Sequence, residues 1–308
     1  EPLTYKGFWN LSNSMLSLRS NLSGQTIVES RLGSAFHLAE FIEQHPELFV
    51  ITGAGISRNS GIQTYRDEVG KWKSNNPIQH SEFLNKETAR RRYWARSFGG
   101  WPNVSSAKPN DAHKALVELE STGYVATLAT QNVDRLHQKA GHKKVTDLHG
   151  RLDQVVCMDC GFLTSRERVQ AWLWQHNPQL ARMETIQTAL RPDGDAEVHE
   201  EFVNQMKVPQ CPRCSGLLKP NVVFYGSTVN KEIVNYLFNR LQKAKALLVI
   251  GTSLMVYSSF RFCKYASENQ IPIACINQGL TRGDNLFSLK VGGDCSEVLN
   301  QLVGCLLD

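Results

Sequence analysis

The sequence holds no apolar run long enough to cross a bilayer. Its most hydrophobic stretch, residues 246–256, spans 11 residues and is interrupted by Gly251, Thr252 and Ser253. A transmembrane helix needs roughly 20, so a soluble chain with no membrane partner is expected. A strong excess of charge is also missing. Lys and Arg total 34 against 29 acidic residues, a net charge of +5. The tightest basic run, Arg90, Arg91 and Arg92, leads into Tyr93 and Trp94 as on a helix face, so no direct nucleic-acid contact is expected. There is no internal repeat and no low-complexity tract. With 41% hydrophobic and 20% charged residues, the composition excludes a disordered or fibrous chain. The chain starts at Glu1 instead of Met, as a processed or trimmed form would, so a targeting peptide would already be gone. Residues 1–33, rich in Ser, Asn and Leu, form an N-terminal arm to which the sequence assigns no role.

What is present begins with cysteine. Of eight, four form two C-x-x-C pairs, Cys157 with Cys160 and Cys211 with Cys214, separated by 50 residues. Each pair can wrap a tight turn that offers two thiolates to one ion, and two such knuckles make a tetrahedral sulfur set suited to Zn²⁺. Disulfides would call for a secreted, loop-rich chain, and the other four cysteines lack framework spacing. A redox pair would need only one C-x-x-C. One structural zinc is therefore expected, with all four positions filled by protein and none open for an activated water. Gly161 and Gly216 are expected to permit the chain reversals.

Apolar, β-branched runs read as buried strands at 48–52, 124–130, 246–251 and 271–276, with shorter candidates at 144–148 and 286–291. Amphipathic stretches lie between them. One follows a Ser34 cap with Phe36, Ala39 and Ile42 on a face, one follows an Asp111 cap, and one runs from 231 to 243 with Val234, Leu237, Phe238 and Leu241. Alternating strands and helices predict a Rossmann-type α/β domain on a mostly parallel sheet. The expected division gives this domain residues 34–66, 108–156 and 216–308. A smaller helical and zinc-binding domain would be inserted as 67–107 and 157–215.

Polar and small residues collect at the strand ends. Gly53, Ala54, Gly55 and Ser57 follow the first strand, where backbone N–H groups of a helix start could approach a pyrophosphate. The motif departs from G-x-G-x-x-G, and no acidic ribose anchor follows at the usual distance, which argues against an ordinary NAD dehydrogenase. Gln131, Asn132, Val133 and Asp134 end the second strand, where they could bind an amide or ribose, or cap a helix. His149 stands before Gly150 at another strand end, with an ordinary pKa suited to proton transfer. Gly251, Thr252 and Ser253, and Asn277, Gln278 and Gly279, end two more. Five such ends point to a nucleotide crevice.

In this order the motifs GAGIS (53–57), TQNVD (130–134), LHG (148–150), the two C-x-x-C pairs and GTSLMV (251–256) resemble the sirtuins, a family of NAD-dependent protein-lysine deacylases. The 90–96 run and the 50-residue excursion resemble the mitochondrial sirtuin-4 group and its bacterial class II relatives. The resemblance implies NAD and acyl-lysine protein substrates meeting in one cleft, in a monomer of the mitochondrial matrix if eukaryotic and of the cytoplasm otherwise. It implies that His149, aided by Asn132, is catalytic, with His149 the general base toward a ribose hydroxyl. The products would be nicotinamide, free lysine and O-acyl-ADP-ribose. The cofactor residues it implies are those at the strand ends together with Tyr65, Arg66 and Cys295. Val222, Val223 and Phe224 would clamp the substrate backbone by strand addition. In desuccinylase-type relatives a Y-x-x-R pair reads an acyl carboxylate, and Tyr93 and Arg96 match that pattern, which implies a preference for acidic or longer acyl groups. The family loop G-I-P-D-[FY]-R reads here with Gln63 and Thr64, and loss of the Pro makes the loop less preset. Protein ADP-ribosyl transfer from the same site, or NAD sensing with weak catalysis, are the alternatives.

Overall fold

The computed structural model describes residues 31–64, 77–179 and 200–307. Seven strands make a wholly parallel sheet in the order β1 (Arg31–Gly33), β10 (Leu289–Val291), β9 (Ile273–Ile276), β8 (Leu247–Ile250), β2 (Leu48–Thr52), β3 (Val125–Thr130), β4 (Val145–Asp147). Strands β2, β8 and β9 are buried throughout and apolar at every position but Thr52 at the end of β2, as a parallel sheet covered on both faces requires.

Alternate side chains of those strands feed two cores. Leu48 and Val50 pack with α1 (Ala35–Gln44), α4 (Asp111–Ser121) and α10 (Cys295–Leu307), through Leu38, Ile42, Leu116, Leu119, Leu299 and Leu302. Phe49 and Ile51 pack with α8 (Lys231–Leu241) and α9 (Tyr257–Glu268), through Leu237, Leu241, Phe262 and Ala266. This is the Rossmann-type α/β architecture expected from the alternating pattern. Two local details differ. Phe36, placed on the buried face of α1, is 60% exposed, because Ala35, Leu38, Ala39 and Ile42 form the inward stripe. The cap of α4 is Asn110, not Asp111: its side chain accepts from the N–H groups of Ala112 and His113.

A second, antiparallel sheet, β6 (Leu163–Ser165), β5 (Gly150–Cys157), β7 (Leu218–Val222), was not anticipated. Residues 150–156 and 218–222, grouped by sequence with the larger domain, pair in this sheet, and β5 runs unbroken into Cys157. Beside it α2 (His80–Asn85), α3 (Glu87–Ser106) and α6 (Arg166–His176) bury Phe83, Trp94, Phe98, Val169 and Leu173 against Val155 and Leu218. The last residues of the N-terminal arm, 31–33, add the edge strand β1 to the large sheet.

Candidate active site

The large sheet ends at a cleft of about 960 Å³. Ligands of open α/β sheets bind at the carboxyl ends of strands, and here β2, β3, β8 and β9 deliver Gly53–Gly55, Gln131–Val133, Gly251–Ser253 and Asn277–Gly279 to its wall. The loops brace one another. The Gly55 N–H donates to the Gly251 carbonyl at 2.8 Å, and Gln131 Nε2 donates to Thr252 Oγ1 at 3.0 Å. Asn132 Nδ2 donates to the Gly53 carbonyl and to Ser57 Oγ, both at 3.1 Å. Ser57 Oγ in turn donates to Asp134 Oδ2 at 2.8 Å, and Asp134 Oδ1 accepts the Leu136 N–H at 2.9 Å. Burial pushes the Asp134 carboxyl upward, against these hydrogen bonds. Ser57 and Asp134 therefore stand behind the wall and fix the amide of Asn132 at its surface.

Behind them lies a polar layer that sequence did not suggest. Thr52 Oγ1 donates to Thr130 Oγ1 at 2.9 Å and lies 2.9 Å from His137 Nε2, and the Asn132 N–H donates to Thr130 Oγ1 at 3.1 Å. The His137 ring meets those of His113 and His142 at centroid distances of 4.9 and 5.2 Å. Burial lowers the pKa of all three, His113 to about 4.

His149 enters the cleft at the turn before β5. Gly150 has φ +82, and a Cβ there would fall 2.2 Å from the Asn221 carbonyl oxygen, so only glycine lets β7 approach this turn. That approach lets the Val223 N–H donate to the His149 carbonyl at 2.8 Å and brings Val222, Val223 and Phe224 beside the histidine, all lining the cleft. The imidazole Nδ1 lies 3.1 Å from the Gln131 carbonyl and Nε2 lies 2.8 Å from Ser258 Oγ. Burial pushes its pKa down to about 4, so the ring is neutral at pH 7. Phe224 meets Phe83 and Tyr93 at ring distances of 5.2 and 5.3 Å, an aromatic wall on the small-domain side.

At the far end of β5 the four sulfurs of Cys157, Cys160, Cys211 and Cys214 lie within 4.8 Å of one another. The cross-knuckle pairs are 3.5 Å (Cys157–Cys214) and 3.7 Å (Cys160–Cys211) apart. A tetrahedron with Zn–S bonds near 2.3 Å has edges of about 3.8 Å, so the set fits one zinc ion and is far too open for disulfides. Gly161 takes the left-handed turn as expected. In the second knuckle Ser215 does so (φ 59), and Gly216 is needed instead because a Cβ would fall 2.1 Å from Asp159 Oδ2.

A model of the Sir2 family matches residues 53–258. The chain belongs to the Sir2 family. It is 48% identical over 262 residues to NAD-dependent protein deacetylase 2 of Bradyrhizobium diazoefficiens, covering 85% of this chain and 95% of that one. It is 46% identical over 271 residues to the human NAD-dependent protein lipoamidase sirtuin-4, mitochondrial, covering 87% and 85%. Among solved structures, a complex of Sir2 with a p53 peptide and NAD+ superposes with a TM-score of 0.67 at 26% identity, covering 87% of this chain and 96% of that one.

In this Sir2-family chain the strand-end residues named from sequence gather at one cleft, except that Ser57 and Asp134 are buried behind its wall, and Cys295 and Tyr93 also line it. Tyr65 and Arg66 lie outside the described residues. Arg96, three residues after Tyr93 on α3, is half-buried and does not line the cleft. Sequence reasoning missed Arg58, Lys231, Ser258 and Arg261, all on the wall. Arg58 could have been found, since it lies in the glycine-loop turn and reaches Gln278 Oε1 at 2.6 Å. Ser258 and Arg261 lie in the first turns of α9, directly after the 251–256 motif, where no pattern marks them.

Proposed function

We propose that this chain is an NAD-dependent protein-lysine deacylase acting as a monomer, whose products are nicotinamide, free lysine and O-acyl-ADP-ribose. The observation that carries the reading is the neutral His149 on the wall of a cleft lined by four strand-end loops of a nucleotide-binding sheet. The volume suits a dinucleotide, and the Gly53–Gly55 and Gly251 backbone, with Arg58 at hand, suits its diphosphate. The deacetylase names of bacterial relatives support the same reading and favour the cytoplasmic side of the compartment expectation. Likeness to human sirtuin-4 supports a class II, sirtuin-4-like assignment.

NAD, when bound, would supply an electrophilic ribosyl carbon with nicotinamide as its leaving group. Gln131 and Asn132 orient the nicotinamide ribose and carboxamide, and Asp134 with Ser57 holds Asn132 in place. Val222, Val223 and Phe224 hold the substrate backbone beside β7, with the acyl-lysine against Tyr93 and Phe224. His149 accepts the ribose hydroxyl proton at Nε2. A neutral imidazole whose Nδ1–H is tied to a carbonyl suits that task. We read the two-part domain division in the same way, with β5 and β7 crossing from the His149 turn to the zinc knuckles. The zinc ion would close those knuckles and take no part in the chemistry.

Tyr93 on the cleft and Arg96 one turn along α3 support a preference for acidic or longer acyl groups. The experiment is to incubate the protein with NAD and a panel of acyl-lysine peptides and to follow products by mass spectrometry. Nicotinamide with O-acyl-ADP-ribose is the expected outcome, with kcat/KM higher for glutaryl- than acetyl-lysine and the ratio reduced in Arg96→Ala. An unchanged ratio refutes the acyl preference. ADP-ribosylated protein with intact acyl-peptide would favour the transferase alternative, and saturable NAD binding without products the sensor.

A further inference from the structure

His149 is held from two sides, and the two contacts fix its protonation pattern. The Gln131 carbonyl, 3.1 Å from Nδ1, has only lone pairs to offer, so Nδ1 carries the hydrogen. A neutral imidazole has one N–H, so Nε2 is a bare lone pair, and the Ser258 hydroxyl at 2.8 Å donates to it. Ser258 thus stands on the atom that must take the substrate proton. A hydroxyl turns about its C–O bond, so it can yield Nε2 to an incoming hydroxyl without moving the backbone.

Ser258 lies in the first turn of α9, Tyr257–Glu268. The helix N-terminus carries partial positive charge, which disfavours an imidazolium nearby. Arg261 follows one turn later, lines the same cleft, and has its Nε buried with no hydrogen-bond partner among the described residues. Arg58, Lys231 and Asp294 also line the cleft, and Arg261 is the cation whose charge acts on His149. The α9 N-terminus and the Arg261 charge both penalise the protonated ring, and both are presented by the helix that carries Ser258.

We propose that Ser258 and Arg261 are positioning residues that hold His149 as the Nδ1–H tautomer, with its Nε2 unprotonated at the cleft wall and covered only by a hydroxyl that can turn away. The kinetic arm of the test rests on the deacylase reading, and the spectroscopic arm does not. In ligand-free protein, ¹⁵N–¹H NMR of the histidine ring is expected to show a protonated Nδ1 and an unprotonated Nε2 at pH 7. Arg261→Gln should raise the His149 titration midpoint by roughly half a unit to one unit, and Arg261→Lys should leave it in place. Ser258→Ala should change it as well, because the side chain that partners Nε2 in both protonation states is lost. In turnover, Ser258→Ala is expected to lower kcat roughly tenfold with peptide KM held, and to displace the acid limb of the pH profile, with Ser258→Thr recovering both. A protonated Nε2 in the wild type, or wild-type titration in both Ser258→Ala and Arg261→Gln, would overturn the proposal. Failure of every acyl-peptide to react would end the deacylase reading and leave the spectroscopic result to decide this one.

Discussion

Gly55 packs backbone to backbone against Gly251 on the cleft wall, and Gly55→Ala converts that close approach into a measurable loss. A Cβ at Gly55 would fall 2.7 Å from both Cα and the carbonyl oxygen of Gly251, and 2.9 Å from its carbonyl carbon. All three are backbone atoms, so no side chain can swing aside. Ordinary contact begins at 3.4 Å, so the two loops must part by about 0.7 Å. The Gly55 N–H to Gly251 carbonyl bond of 2.8 Å then stretches beyond useful length. Overpacking costs about 1–3 kcal/mol and the lost bond about 1 kcal/mol, a destabilisation of roughly 2–4 kcal/mol. Thermal denaturation should register this as a Tm lower by roughly 4–8 °C. Both displaced loops line the cleft proposed to hold NAD, so calorimetry should find NAD binding weaker by roughly 10–100-fold. Gly292→Ala is the control, since a Cβ there meets nothing within 4 Å and its φ is ordinary. Wild-type Tm and NAD affinity in Gly55→Ala would refute the claim that close backbone approach shapes this cleft.

Two further outcomes follow from the zinc knuckles and from the buried histidines. Cys160→Ser, or chelation, should release one zinc per chain by elemental analysis and lower the Tm, because a structural site binds its metal and folds as one event; an unchanged metal content would rule out the four-sulfur site. The three buried histidines should make stability fall with acid. His113 is held at about 4 against an ordinary 6.5, so the unfolded chain takes up its proton first as pH drops. Stability contributed above pH 6.5 is then lost toward pH 4, by about 1.4 kcal/mol per pH unit for each such histidine. Urea midpoints at pH 7.5 and 5.5 read this directly, and a His113→Gln variant with an undiminished slope would count against it.

Six of the seven large-sheet strands and most of the cleft were legible, the inner strands because burial on both faces writes nearly continuous apolar runs, as in Leu48–Thr52 and Leu247–Ile250, whereas the edge strand β1 carries no such run. The strand ends then had to carry the polar groups. The antiparallel sheet was not legible. Its strands β5 and β7, Gly150–Cys157 and Leu218–Val222, mix Arg151, Asp153, Gln154, Lys219, Pro220 and Asn221 with apolar residues, and their pairing is set by the knuckles and by the Gly150 turn. Ser57 and Asp134 were named as cofactor residues on position alone, and their inward hydrogen bonds appear only in three dimensions. The same holds for Ser258, whose partner His149 is 109 residues away. The zinc set was legible in full because a C-x-x-C pair brings its own geometry.

The central claim is that His149 is the base of an NAD-dependent deacylase, and His149→Ala tests it most directly when binding and turnover are measured on the same preparation. The account predicts that NAD binding persists in calorimetry, while formation of O-acyl-ADP-ribose falls by about 100-fold or more. An unimpaired rate of deacylation in His149→Ala would contradict it.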